Sequence, residues 1–495
     1  MGDQPRSLER FKRPCAARQG RRARRYRGRL PLFALGRRVV HHRHRTGGRR
    51  RLHRLALTRS VDTEITDEFQ QALDLLSVAT PPVVFVTGSA GTGKSTLIDV
   101  LRRELDKNIV VVAPTGVAAL NVQGQTIHSL FQLPPGPQPR AKRIAGAAKE
   151  VVEKMEVLVI DEVSMVRADL LDAVDDALRL NTGRAGAAFG GKTLVLVGDM
   201  HQLPPVVAGA EEQRLFEEHY ESPYFFSAMS LRELPMVTVT LTRSFRQADP
   251  EFIRLLDHIR AGTDLEDTVD QLNHVVEEEM IPEETRLVLT SVNARARQFN
   301  EQQLAQLPGE IWTFDAEVNG DWLDNESQLP SPAELRLKVD AQVMFTKNGE
   351  EWVNGSLGRV VQLEEDFIEI ELLGDEDLGQ HVFVERESWE RYRYQWDEKR
   401  RRVETESIGS YTQFPFILAW AVTVHKAQGL TLEHVRIDLG RGMFAPGQAY
   451  VALSRCRTLD GISFNRPLSA GDIKCDPVIQ SFYRSIDETR AGEAA

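Results

Sequence analysis

The chain has 495 residues, 41% hydrophobic and 27% charged, with 62 Lys and Arg against 72 Asp and Glu and a formal net charge of −10. That composition is globular, the length suits two or three domains rather than one core, and no apolar run approaches the roughly 20 residues that cross a bilayer. Three widely spaced cysteines, Cys15, Cys456 and Cys475, exclude a disulfide framework and a zinc-finger spacing and fit a reducing compartment.

The mean charge conceals a split. Residues 1–60 hold 19 Arg, Lys12 and only Asp3 and Glu9 as acids, a net of +18, which leaves the other 435 residues at −28. This first segment has no apolar period and is expected to be disordered. Three readings stay open. It is a basic nucleic-acid arm, or a transit peptide, although Ser7 and Ser60 are its only serines. The preferred reading is that it lies outside the native protein, with Val61 as an alternative bacterial start. A body this acidic needs a local basic groove to bind nucleic acid, because its overall field repels it.

After Pro81-Pro82, the run Val83–Val86 predicts a buried strand, and Leu97–Leu101 predicts a helix. Between them lies Gly88-Ser89-Ala90-Gly91-Thr92-Gly93-Lys94-Ser95-Thr96, a complete phosphate-binding loop in its strand–loop–helix context. Its glycines let backbone N–H groups turn towards phosphate oxygens, the helix N-terminus adds positive dipole, Lys94 reaches the β- and γ-phosphates, and Ser95 takes Mg²⁺. Further on come Ala113-Pro-Thr115-Gly116-Val-Ala-Ala119 and Gly124-Gln-Thr126-Ile-His128-Ser129-Leu-Phe131, then a stiff, exposed stretch, Leu133-Pro-Pro-Gly-Pro-Gln-Pro-Arg140.

Val157–Ile160 predicts a strand ending in Asp161 and Glu162, at the edge where open α/β sheets bind ligands. Asp161 is expected to hold Mg²⁺ through water and Glu162 to orient or deprotonate the attacking water. Asn181–Lys192 reads as a plain loop. The strand Leu194–Val197 leads into Gly198-Asp199-Met-His-Gln202-Leu-Pro204-Pro205-Val206, followed by Ser244-Phe245-Arg246-Gln247. Arg286–Asn300 reads as a strand running into a helix.

From Leu335 the pattern becomes β-rich. Asn354-Gly355 signals a tight turn, and Val360–Leu363 and Ile368–Leu373 read as strands. Trp389, Tyr392, Tyr394 and Trp396 lie among Arg391, Arg393 and Lys399–Arg402. The last three aromatics share one strand face, read as the core of a small barrel with a charged rim in preference to a stacking and phosphate surface. The acidic runs Glu364-Glu365-Asp366 and Asp375-Glu376-Asp377 argue against nucleic acid touching every face. Two last blocks follow, Val422-Thr423-Val-His425-Lys426-Ala-Gln428-Gly429-Leu-Thr431 and Tyr450-Val-Ala-Leu-Ser454-Arg455-Cys-Arg457.

This ordered set, spread over residues 65–485, resembles superfamily 1 DNA helicases of the Pif (petite integration frequency) branch, close to RecD-like helicases. The resemblance implies two RecA-like P-loop α/β domains closing on ATP·Mg²⁺, residues 61–232 and residues 233–332 with 413–487. A small Src-homology-like β-barrel insert at 333–412 and a wedge near 125–150 complete the expected body. It assigns Arg246 and Arg455 to the γ-phosphate, with Arg455 as the arginine finger, Gln202 as the sensor, and Gly429 to the nucleotide. Thr115, Thr126, His128, Ser129 and Phe131 match blocks that contact single-stranded DNA in the first domain, and Thr423, His425 and Lys426 in the second. For Phe131 a core role is an equal alternative. Many relatives carry a glutamine that reads adenine near the start of the body, where this chain has Phe69 beside Gln70 and Gln71. That departure puts strict ATP selectivity in doubt.

The resulting expectation is an ATP-dependent helicase, most simply a monomer, that moves 5′-to-3′ on single-stranded DNA and unwinds forked duplex. Replication or repair partners, a bacterial cytoplasmic location and no membrane contact go with it. The alternatives are a nucleic-acid-stimulated ATPase clamp and a RecD-like subunit of a nuclease complex.

Overall fold

The computed structural model describes residues 65–77, 82–137, 139–207, 209–278, 287–322, 329–374, 378–440, 442–443 and 445–494. The Arg-rich segment 1–60, Pro81, Gln138, Arg286 and Asp375-Glu376-Asp377 lie outside the described residues.

In the first domain, α1 (Asp67–Ser77) buries Phe69, Ala72, Leu73 and Leu76, a three- and four-residue spacing that places one stripe on the core. There follow β1 (Val83–Gly88), α2 (Lys94–Glu104), β2 (Ile109–Ala113), α3 (Gly116–Asn121), β3 (Gln125–Thr126), α4 (Ile127–Phe131), α5 (Ala147–Lys154), β4 (Val157–Ile160), α6 (Ala168–Thr182), β5 (Thr193–Val197), α7 (Gly209–His219) and β6 (Met236–Leu241). The six strands pair in the order β3-β2-β4-β5-β1-β6, and every pairing is parallel. Helices cover both faces, so the strands are unbroken apolar runs. Val83 and Phe85 face one core while Val84 and Val86 face the other. Because all strands run the same way, the loops after β1, β4 and β5 meet at one edge. The stretch read as a plain loop at 181–192 is more ordered than expected: α6 reaches Thr182, and a short 3₁₀ turn at Ala188–Gly191 buries Phe189.

The second domain begins with α8 (Pro250–Ala261), α9 (Leu265–Glu278), β7 (Leu287–Thr290) and α10 (Asn293–Gln306). An insert then interrupts it: β8 (Trp312–Asp315), β9 (Glu317–Gly320), β10 (Glu334–Leu337), β11 (Gln342–Phe345), β12 (Leu357–Leu363), β13 (Phe367–Leu372), β14 (His381–Glu385), β15 (Glu387–Asp397), β16 (Arg402–Gln413) and β17 (Phe416–Leu418). The chain resumes with β18 (Ala421–Thr423), β19 (Val435–Asp438), α11 (Gln448–Leu453), β20 (Ile462–Phe464) and α12 (Pro477–Ala494). Its parallel sheet runs β18-β7-β19-β20. The fold class expected from the sequence is therefore found: two RecA-like α/β halves and a β insert in the second. Among the described residues, no helix is long and apolar enough to cross a membrane.

The insert holds an antiparallel sheet, β14-β13-β12-β11-β17, over a core that includes Phe345, Val360, Ile370 and Phe416. Its long hairpin, β15–β16, behaves differently from the sequence reading. A bulge between Arg391 and Tyr392 shifts the register, and Tyr394 leaves the barrel core altogether. Its ring joins the core of the first domain. Its hydroxyl accepts from Arg102 Nη2 (2.9 Å) and Val111 N–H (3.1 Å). Val403 N–H donates to Asn108 Oδ1 (3.0 Å), and the Lys154 ammonium lies 5.5 Å from the Trp396 ring. Neither a barrel core nor an open stacking face describes Tyr394 and Trp396, which fasten the insert to the first domain, whereas Trp389 packs with Trp322 and Tyr411 within the insert.

Candidate active site

The loop between β1 and α2 turns through Gly91 and Gly93, both with positive φ (80° and 84°). At Gly91 space also demands glycine, since a Cβ there would stand 2.5 Å from the Cβ of Arg246. Lys94 Nζ donates to Gly88 O (3.0 Å) and Ser89 O (2.9 Å), so the ammonium is folded over its own loop. Burial pushes its pKa down, and Asp199 and Glu162 oppose that shift. Ser95 and Thr96 are exposed at the start of α2. The Ala90 N–H donates to Tyr450 Oη (2.9 Å), which arrives on α11 from the second domain.

Asp161 and Glu162 follow β4. Glu162 sits in the left-handed region (φ 49°, ψ 45°), a conformation that costs a non-glycine residue about 1 kcal/mol or more and is retained where surroundings enforce it. Burial, and then Glu162 beside it, push Asp161 up to about 7, and burial raises Glu162 as well. Two desolvated carboxylates side by side call for a cation. With the Ser95 hydroxyl and phosphate oxygens they fit Mg²⁺, which prefers oxygens and takes few protein ligands. Among the described residues, no group of three or more His, Cys, Asp or Glu could hold a metal ion.

Gln428, between β18 and β19, reaches across from the second domain. Its Nε2 donates to Glu162 Oε2 (3.0 Å) and to Gln202 Oε1 (3.3 Å). Sequence reasoning gave Gln428 no role, although it stood beside Gly429 in a noted block.

Arg246 donates to Thr431 Oγ1 (3.0 Å), Ser454 O (3.2 Å) and Gly429 O (3.4 Å). Arg455 is buried, donating to Val451 O and Ser454 Oγ (both 2.9 Å). Burial, then Arg246, hold it down to about 9. Among the described residues, neither guanidinium has a carboxylate at salt-bridge distance. Carbonyls and hydroxyls position the two cations and leave their charge for an incoming anion.

Behind this cleft, Asp199 pairs with Arg260 Nη2 of α8 (3.1 Å) and accepts from His201 N–H (3.2 Å). Burial would raise Asp199, but Arg260 and Lys94 outweigh it and hold the carboxyl at about 2. Burial, then Arg260, push His201 down to about 4, so its ring is neutral at physiological pH. It stacks on Tyr483 of α12, centroids 4.6 Å apart and planes 9° from parallel. Arg260 and Tyr483 carried no motif and were not foreseen.

Near the glycine of the phosphate loop, Phe69 is buried, with its Cζ 3.2 Å from where a Cβ on Gly93 would lie. Gln70 donates to Asp74 (2.8 Å), and Gln71 is exposed. Phe245 is half exposed beside the same glycine, and the Arg243 guanidinium lies 4.9 Å over its ring.

The residues matched to DNA-contacting blocks divide. Thr115 caps α3 through Ala118 N–H, and Thr126 caps α4 through Ser129 N–H (both 3.2 Å). Ser129 and His128 are half-buried, and burial, then Arg167, lower the His128 pKa. His425 and Lys426 are exposed on the turn after β18, while Thr423 is buried and accepts from Lys426 N–H (3.4 Å). Phe131 is the correction. At 0% exposure within the first-domain core, it has no face for a base and is a packing residue.

The family model described as PIF1-like helicase matches residues 61–270. The chain is 35% identical to the human ATP-dependent DNA helicase PIF1 over 442 residues, 85% of this chain and 64% of that protein, so it spans less than two thirds of that relative. It is 33% identical to the ATP-dependent DNA helicase Pif1 of Bdellovibrio bacteriovorus over 86% of this chain and 93% of the relative. The crystal structure of a Bacteroides Pif1 in complex with ADP-AlF4 superposes with a TM-score of 0.78 at 35% identity, covering 86% of this chain and 98% of that one.

Proposed function

The chain belongs to the PIF1-like helicase family, and from that premise we propose that it is an ATP-driven motor that steps along single-stranded DNA and separates duplex at a fork. The observation that carries the reading is the junction of Glu162, Gln428 and Gln202. One glutamine joins the carboxylate of the first domain to the segment that presents His425 and Lys426 in the second. A change at the γ-phosphate is thereby felt two or three residues from the proposed DNA grip.

In the proposed cycle, Lys94 leaves Gly88 O and Ser89 O for the phosphates, where the loop N–H groups and the start of α2 receive negative charge. Ser95 and Asp161 hold Mg²⁺, whose chemistry when bound is to neutralise and orient the phosphate oxygens. Glu162 aligns the attacking water and takes its proton, a role suited to a carboxyl whose pKa burial has raised. Arg246 and Arg455 meet the charge that develops as the γ-phosphoryl group departs. Release of phosphate loosens the cleft, and the grips around Thr115–Ser129 and His425–Lys426 alternate on the strand. The exposed Pro134–Pro137 segment, pinned by Arg167 Nη2 to Gly136 O (2.9 Å), is the proposed wedge. The exposed Phe245 ring beside Gly93 of the phosphate loop is the proposed seat for the nucleotide base.

ATP hydrolysis by the purified chain, with and without single-stranded DNA, tests the motor. Turnover should rise severalfold with DNA and vanish in Lys94→Ala. Equal turnover in that variant would overturn the site, and DNA-indifferent turnover would overturn the coupling.

A further inference from the structure

The helix α12 closes the second domain in sequence and lies on both halves. At its start, Cys475 Sγ approaches Ile259 O (3.4 Å), and Gln480 Nε2 donates to Ala261 O (2.9 Å), which ties it to the end of α8. The same stretch reaches the first domain: Tyr224 Oη donates to Asp476 Oδ2 (2.7 Å), just before the helix, and Phe482 stacks on Phe226 (centroids 4.1 Å). Ile479 and Ile486 enter the first-domain core. Attachments to the two motor halves therefore alternate along this stretch, Cys475 and Gln480 to the second and Asp476, Ile479 and Phe482 to the first.

Tyr483 occupies the middle of this bracket. Its hydroxyl shares a hydrogen bond with Thr87 Oγ1 (2.8 Å), the residue before the phosphate loop, and accepts from Met200 N–H (3.3 Å), inside the loop of Asp199 and Gln202. One ring face lies on His201, and the Arg260 guanidinium stands 5.5 Å from the ring centroid. A single oxygen thus sets the spacing between the backbone entering the phosphate loop and the backbone carrying the sensor. Small displacements of catalytic groups cost large factors in rate, so that spacing matters kinetically.

We propose that α12 is an inter-domain bracket and that Tyr483 is a positioning residue for hydrolysis, holding the Gln202 loop in register with the phosphate loop through Thr87 and Met200. It acts through these neighbours. The proposal rests on the motor reading above.

The test is steady-state hydrolysis with saturating single-stranded DNA by the full chain and by Tyr483→Phe, which removes the oxygen and keeps the stacked ring. The kcat should fall about tenfold, the worth of one well-placed hydrogen-bonded pair, with KM for ATP within about twofold. Thr87→Val should fall similarly, and the double variant no further. Ile486→Val, a packing change on the same helix, should lose some thermal stability and keep kcat. An unchanged kcat in Tyr483→Phe, an effect on KM alone, or an equal kcat loss in Ile486→Val would overturn the positioning role. A full chain without DNA-stimulated turnover would instead overturn the motor reading, and the positioning role with it.

Discussion

Glu162 shows how much chemistry one backbone conformation carries. The left-handed turn brings its carboxylate to Gln428, and burial raises its pKa. Glu162→Gln should still bind nucleotide but hydrolyse it about 100-fold more slowly or worse, the usual reach of a general base, as a single-turnover measurement will show. Arg455→Ala should leave ATP affinity near its original value and slow turnover; an unchanged rate would assign the finger elsewhere. Phe131→Ala should destabilise the chain by about 3–5 kcal/mol without a specific loss of DNA affinity in the folded fraction. His201 gives a pH signature. Its pKa is about 4 when folded against an ordinary histidine value of about 6.5, so the unfolded chain binds the extra proton first. Its contribution is complete above about pH 6.5 and declines as the pH falls towards 4, a loss of about 2 kcal/mol between pH 7 and pH 5. His201→Phe should flatten that part of a melting-temperature profile. The placement of Lys94, Asp161 and Glu162 at one edge was legible in the sequence because each stands in a contiguous block behind an apolar strand. Phe131 was not settled there, since its block supplies the residue and only packing decides which way the ring faces. Gln428 and Phe245 stood inside noted blocks, but their partners, Glu162 and Gly93, lie far away in sequence.

Elements were legible where periodicity was strong. Val83–Val86, Val157–Ile160 and Leu194–Val197 are the strands their apolar runs announced, and Asn354-Gly355 is the turn between β11 and β12. What two elements do together was not legible. The period-two aromatics of β15 looked like one face of a barrel, yet the bulge at Arg391/Tyr392 and the length of the hairpin carry Tyr394 to the first domain. Likewise α12 carries no motif, and only tertiary contact reveals that it touches Thr87 and Met200. The hairpin contact makes its own prediction. Tyr394→Ala removes a buried ring and a hydroxyl shared by Arg102 and Val111, so hydrogen exchange should quicken along β15 and along β2 together. Exchange confined to β15 would mean that the hairpin tip is not anchored there.

At the scale of the whole chain, residues 61–495 carry a net charge of −28, so any DNA track must be local and backed by position rather than by a general positive field. The two α/β halves are tied at the cleft by Gln428, Tyr450 and the Arg260–Asp199 pair, and away from it through the hairpin and α12. Such ties let a change of a few tenths of an ångström at the nucleotide move whole elements, because packed interfaces switch between arrangements rather than deform smoothly. The most direct measurement follows ATP consumption and strand separation together, on forked duplexes bearing either a 5′ or a 3′ single-stranded tail. The account predicts stimulated hydrolysis with unwinding from the 5′-tailed fork, both lost in Lys94→Ala. Stimulated hydrolysis with neither fork unwound would contradict it, leaving an ATPase clamp and removing the wedge role from Pro134–Pro137.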